Sequence, residues 1–122
     1  MAGTINYFLE FTCVHDRFRD PFTIIATEVT QTNLGGGNPG YLSIGTSEED
    51  ISFGDVTPGL VIMENLDSTN FIKYGPKSGG AMIEFARIAP GGFAVIQLQG
   101  SAIIRAIADT AAVKVRIRGY NV

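Results

Sequence analysis

Tryptophan is absent from this 122-residue chain, and there is one cysteine (Cys13) and one histidine (His15). A single cysteine excludes an intramolecular disulfide framework and fits synthesis in a reducing compartment. One Cys and one His cannot supply the three or four ligands of a transition-metal site, so no metal is expected. A Ser-His-Asp triad would depend on His15 alone, and no serine lies in a Gly-x-Ser-x-Gly setting. Basic excess is also missing: the formal charge of −3 argues against nucleic-acid binding, which needs a positive footprint. Apolar runs are only a few residues long, far short of a bilayer span, so no membrane partner is expected. The N-terminus lacks a basic region and Glu10 interrupts the apolar stretch after it, so no signal peptide is expected.

The remaining chemical candidates are thin. Cys13 and His15 are two apart and would share a strand face, where an imidazole lowers a thiol pKa. Cys13 equally continues an apolar face, where a free Cys acts as a small hydrophobe. Glu48, Glu49, Asp50 and Asp55 lack the calcium-loop pattern and read as a solvated acidic loop. Gly35-Gly36-Gly37 is followed by no Lys-Ser/Thr pair, so it is not a phosphate loop. Sugar stacking would fall to Tyr7, Tyr41, Tyr74 or Tyr120. No catalytic residue, cofactor or enzymatic activity is expected.

What the chain does have is turns and short apolar segments. Fifteen glycines suit strands and tight turns better than helices. In the second half, six segments begin near Leu60, Phe71, Ala81, Phe93, Ala102 and Val113, mostly separated by turn signals such as Asn65-Leu66-Asp67 and Pro90-Gly91-Gly92. One of these signals is Gly100-Ser101. Strands at this spacing predict an all-β sandwich or barrel. Residues 93–98 are apolar on both faces except at Gln97, which predicts a strand covered on both sides. The last strand alternates, with Val113, Val115 and Ile117 inward and Lys114, Arg116 and Arg118 outward.

The first half reads as a half-buried strand over 4–14, a charged connector over 15–21, and a β-branched strand over 22–31. Residues 32–40 predict a long loop, a candidate contact element. A short strand over 41–45, an acidic turn over 46–50 with room for one helical turn, and a brief strand over 51–56 follow. No linker or composition break divides the chain, so residues 1–122 predict one domain of about 8–10 short strands. Residues 1–61 carry a net charge of −6 and 62–122 a net +3, an asymmetry able to steer like subunits together. The candidate protein-contact residues are Asn33, Leu34, Asn38 and Tyr41 in and beside the loop, and the cationic row Lys114, Arg116 and Arg118. That row is a docking face for an acidic surface, or a solvated face protecting an edge strand. Arg105 or Arg87 on a neighbouring strand would enlarge it.

Three stretches resemble small virion proteins of tailed bacteriophages: residues 59–75 with Asn65-Leu-Asp-Ser-Thr-Asn70, residues 85–96 with Ala89-Pro-Gly-Gly92, and residues 105–116 with Ala108-Asp-Thr-Ala-Ala112. The pattern is one of turns and strands over about a third of the chain, similar to the jelly-roll type of capsid decoration, or cement, protein. The resemblance implies a single jelly-roll-like antiparallel β-sandwich located on the virion capsid surface. Its partners would be the major capsid protein and further copies of itself, as a dimer or trimer. The alternatives are a tail, baseplate or head-fibre component, or a carbohydrate-binding β-sandwich module.

Overall fold

The structure, a computed structural model, describes residues 3–31, 36–99 and 102–122. Eleven strands and no helix occur among them. They fall into two compact units, residues 1–34 with 122 and residues 35–121.

The first unit is a two-stranded antiparallel ribbon, β1 (Gly3–His15) and β2 (Phe18–Gln31). Its turn is only Asp16-Arg17, with Asp16 at φ 52°, a left-handed conformation that Asp tolerates. The expected connector over 15–21 is therefore mostly strand: Arg19, Asp20 and Pro21 pair with Val14, Cys13 and Thr12. Pro21 lacks an N–H, yet each strand of a two-stranded sheet is an edge, where proline is admitted. The register shifts between Tyr7 and Leu9, where β2 carries one extra residue. Beyond the shift, Leu9, Phe11, Cys13 and His15 stand opposite Ile24, Phe22, Asp20 and Phe18 on one face.

The second unit holds β3 (Gly36–Ile44), β4 (Glu49–Asp50), β5 (Leu60–Asn65), β6 (Ile72–Ser78), β7 (Ala81–Met82), β8 (Ala86–Ile88), β9 (Phe93–Gln97), β10 (Ile104–Ala108) and β11 (Val113–Tyr120). One sheet runs β3-β11-β5-β9; the other runs β4-β10-β6, with both β7 and β8 paired to β6. Every pairing is antiparallel. Treating β7 and β8 as one interrupted edge strand gives two four-stranded sheets in the order of an eight-stranded jelly roll. The interruption has a local cause. A Cβ on Gly75 would sit 1.8 Å from the Ile83 carbonyl oxygen, so the chain passes β6 at van der Waals range only because residue 75 has none.

The core forms between the inner faces of the two sheets. Val113, Val115 and Ile117 of β11 are fully buried, as are Val61 and Met63 of β5, Ile72 of β6 and Ala106 of β10. Tyr74, Ile88, Ile104 and Ala108 complete it from the second sheet. The expected starts of the six segments lie within two residues of the observed ones, and the all-β sandwich is the fold. Among the described residues the strands number eleven, and β1 and β2 are long rather than short.

Four local expectations are corrected. Residues 36–40 belong to β3, paired to β11 from Ile44↔Val113 to Gly36↔Tyr120, so the expected 32–40 loop is strand over its second half. The acidic turn holds a strand, not a helical turn: Glu49 and Asp50 pair with Ala106 and Arg105. Residues 51–56 form no strand, although Ile51, Phe53 and Val56 enter the core. A turn at Gly54-Asp55, closed by the Val56 amide on the Phe53 carbonyl, breaks the run, with Gly54 at φ 62°. Finally, β9 is an edge strand whose Phe93 and Val95 are half exposed, so it is covered on one side only. The Gly100-Ser101 turn lies outside the described residues.

Candidate interaction surface

The outer face of the β3-β11-β5-β9 sheet gathers four of the seven sequence-derived contact residues. Alternation along β11 turns Lys114, Arg116 and Arg118 away from the core. Register places Arg116 between Tyr41 of β3 and Glu64 of β5, and Arg118 between Pro39 and Ile62. Tyr41 is 65% exposed. The Arg116 guanidinium donates to Glu64, and its pKa is raised by that bond first and by a hydrogen bond with Tyr41 second. The Arg118 guanidinium lies 5.9 Å from the centre of the Tyr120 ring, in cation–π range. Neither Lys114 nor Arg118 has a carboxylate within ion-pair distance among the described residues.

Sequence reasoning missed the apolar part of this face. Ile62 stands opposite Val95, and Glu64 opposite Phe93, so β9 adds a half-exposed aromatic and a valine beside the cations. The signal was hidden because every position of β9 but Gln97 is apolar, and such a strand shows no period. Arg and aromatic side chains with apolar neighbours make the composition of protein–protein contact centres. Two expectations about the row are corrected. β11 lies in the middle of its sheet, so the cations do not guard an edge. Arg87 of β8 and Arg105 of β10 belong to the other sheet and do not extend it.

Asn38 stands opposite Gly119, on the face alternate to Tyr41, with its amide near Gly54. Asn33 and Leu34 lie outside the described residues.

The acidic residues of the 46–50 segment have structural partners. The Arg105 side chain, 18% exposed, donates to Asp50 through Nε, and to Glu48 and the Gly80 carbonyl through Nη1 at 2.9 Å. Lys77 Nζ reaches Asp50 at 3.3 Å, and the Met82 amide donates to Glu48. The Arg105 hydrogen bond is the main cause holding each carboxyl below the usual carboxylate range. This cluster ties β4, β6, β7 and β10 together and joins the acidic first half of the chain to the basic second half. No group of three or more metal-ligating side chains occurs among the described residues.

An apolar cleft of about 310 Å³ opens between β9 in one sheet and β6 and the start of β10 in the other. Tyr74, Phe85, Ile96, Leu98, Ile103 and Ile104 line it. Phe85 is 78% exposed at its mouth. No acidic or basic side chain lines it to orient a substrate. Cys13 and His15 share a face of β1 and are both exposed, and the His15 ring lies 4.0 Å from Asp16. Of the four tyrosines, Tyr74 is a core residue, Tyr7 lies on β1, Tyr41 is exposed on β3 and Tyr120 ends β11. Comparison with protein-family models, characterised proteins and solved structures finds no match to this chain.

Proposed function

We propose that the protein is a structural virion component without enzymatic activity: a capsid decoration protein that binds the outer surface of a phage head and clamps neighbouring coat subunits. The observation that carries this reading is the outer face of the β3-β11-β5-β9 sheet. There Tyr41, Arg116 and Arg118 stand on the same face as Ile62, Phe93 and Val95. Glu64 and Tyr41 hold the Arg116 guanidinium, so docking loses less side-chain entropy than it would with a free arginine. Lys114 and Arg118, which have no carboxylate within ion-pair distance among the described residues, favour an acidic patch on the coat. A decoration protein needs only modest affinity per copy, because many copies act on one shell.

The test combines copy number with a charge reversal. Quantitative mass spectrometry of purified particles should find hundreds of copies per virion; a handful indicates a tail or fibre part, and none defeats the reading. Arg116→Glu with Arg118→Glu should lower capsid occupancy at least roughly tenfold, the size expected when contact-centre arginines are lost. Unchanged occupancy would remove this face from the contact.

A further inference from the structure

The sheet edges of the sandwich differ in how they are closed to a further strand. Edge strand β3 carries Pro39, which has no N–H to give. Edge strand β4 is two acidic residues long, and β7 and β8 are two and three residues long with the chain interrupted between them. Short length, charge and proline are the usual guards of a sheet edge. Edge strand β9, Phe93-Ala-Val-Ile-Gln97, has neither charge nor proline and runs for five residues. Its pairing with β5 fixes which main-chain groups look outward. The Leu98 amide donates to the Gly59 carbonyl and the Asn65 amide to the Gly92 carbonyl, each at 2.9 Å. In that register Ala94 and Ile96 exchange bonds with Met63 and Val61 of β5. The alternation of an antiparallel ladder then turns the amides and carbonyls of Val95 and Gln97 to the other side. No strand among the described residues pairs with β9 there. The same edge borders the apolar cleft: Ile96, Gln97 and Leu98 form one wall, facing Tyr74, Phe85 and Ile103.

We propose that β9 accepts an extended peptide segment of a partner protein, which joins the sheet as an antiparallel strand and sets alternate aliphatic side chains into the cleft. The main-chain groups select the occupant. Outward amides and carbonyls on one edge are complementary to another peptide backbone, whereas an acyl chain would leave them without partners. The cleft selects the side chains. In an antiparallel strand about 4.8 Å from β9, the residues opposite Val95 and Gln97 point to the outer face, and those between them point inward beside Ile96. The inward positions meet a lining of about 310 Å³ without an acidic or basic side chain, so they are aliphatic and uncharged. The neutral edge of β9 makes the same demand on the centre of the segment. Antiparallel is the sense of every other pairing in the sandwich and the stronger bonding per residue. The inference does not rest on the capsid reading, since it concerns a backbone edge and is tested without capsids.

The probe is the peptide acetyl-Glu-Thr-Leu-Thr-Leu-Thr-Lys-amide, titrated into the full chain and followed by NMR shifts and amide hydrogen exchange. It should bind with a dissociation constant below about 1 mM. Without peptide, the Val95 and Gln97 amides should exchange at least roughly tenfold faster than those of Ala94 and Ile96, and saturation should slow them at least roughly tenfold. Methylating the threonine amide nitrogens, which face β9 in the antiparallel register, should weaken binding at least roughly tenfold; methylating the leucine nitrogens should change it less than about threefold. Val95→Pro should weaken it as much as threonine methylation does, and Phe85→Ser, at the cleft mouth, by roughly fivefold. The methylated pair decides the matter even if Val95→Pro does not fold. No binding below about 1 mM overturns the proposal, as does an equal or reversed effect of the two methylations. Val95 and Gln97 amides as slow as Ala94 without peptide would give the edge to the chain itself. Slowing that grows with protein concentration alone would give it to a second copy. Either result also overturns the proposal.

Discussion

Strand β11 and the β1–β2 ribbon obey the same rule of alternation and meet opposite fates. In β11 the apolar members Val113, Val115 and Ile117 are fully buried, because β10 and β6 of the facing sheet supply a second apolar layer. In the ribbon the corresponding row runs Ile5, Tyr7, Leu9, Phe11 and Cys13, yet Phe11, Phe18 and Phe22 remain 42–61% exposed. Alternation specifies that a strand has an apolar face; it does not say whose atoms cover it. In the jelly roll the cover is encoded in the same unit. In the ribbon, the pairing of β1 with β2 sets two apolar rows side by side on one face without adding a second layer.

The sharpest way to break this comparison is to cut the same kind of side chain from each face. Ile117→Ala removes three carbons from a site with 0% exposure. It should destabilise the sandwich by about 3 kcal/mol in equilibrium urea unfolding. Phe22→Ser deletes a larger side chain, yet it should shift the sandwich transition by less than about 0.5 kcal/mol, as exposed substitutions do. A large shift from Phe22→Ser in dilute protein would mean that the ribbon's face is covered within its own chain.

What was legible in the sequence follows from the same distinction. The jelly-roll strands that alternate or end in strong turns could be placed: β5 at Leu60, β9 at Phe93 and β11 at Val113 all start where expected. Others were hidden because their pairing depends on residues far along the chain. Glu49 and Asp50 look like a solvated turn until Arg105 stands opposite Asp50. Residues 51–56 have strand-like composition, but no neighbour offers them a ladder. Gly36 to Gly40 reads as loop because it is rich in glycine; β11, eighty residues later, makes it a strand. Of the candidate contact residues, the cationic row and Tyr41 were legible from period and exposure. Ile62, Phe93 and Val95 were not, since only the register of β5 with β9 brings them together.

A buried polar latch distinguishes the sandwich further. Asn65 and Asn121 are the buried polar side chains among the described residues, and both lie in the jelly roll. Asn65, at 0% exposure, donates to the carbonyls of Asn70 and Ile88 at 3.0 and 3.1 Å and accepts from the Asp67 amide at 2.8 Å. The turn signal Asn65-Leu66-Asp67 is thus also a clamp between β5 and β8. Asn65→Leu keeps the branched shape and the number of heavy atoms but strands those three backbone groups, and should destabilise by about 2–3 kcal/mol in the same unfolding assay. Asn65→Asp retains the acceptor and loses both donors, so it should restore little. If Asn65→Leu were neutral, the strand pairing rather than the side chain would hold this corner.

Acid provides the mildest perturbation, acting on the rim of the sandwich rather than on its core. Glu48 and Asp50 are held low chiefly by Arg105, and Asp67 by the amides of Asn70 and Thr69. Each binds its proton less tightly in the folded chain than in the unfolded one, so deprotonation favours the fold. That contribution is complete above the unfolded values, near pH 4, and is lost as pH falls through the lowered folded ones. Thermal unfolding followed from pH 7 downward should therefore hold a plateau to about pH 4 and then decline. Arg105→Met leaves Asp67 untouched while removing the main partner of Glu48 and Asp50, so its decline should be shallower and begin from a lower plateau. The difference should be small, because the carboxylates lie at the solvent edge where ion pairs are screened. Identical slopes for the two proteins would assign the acid sensitivity to the Asp67 turn alone. A flattened slope assigns it to the cluster that joins β4 to β10, where, among the described residues, the acidic and basic halves of the chain meet as ion pairs.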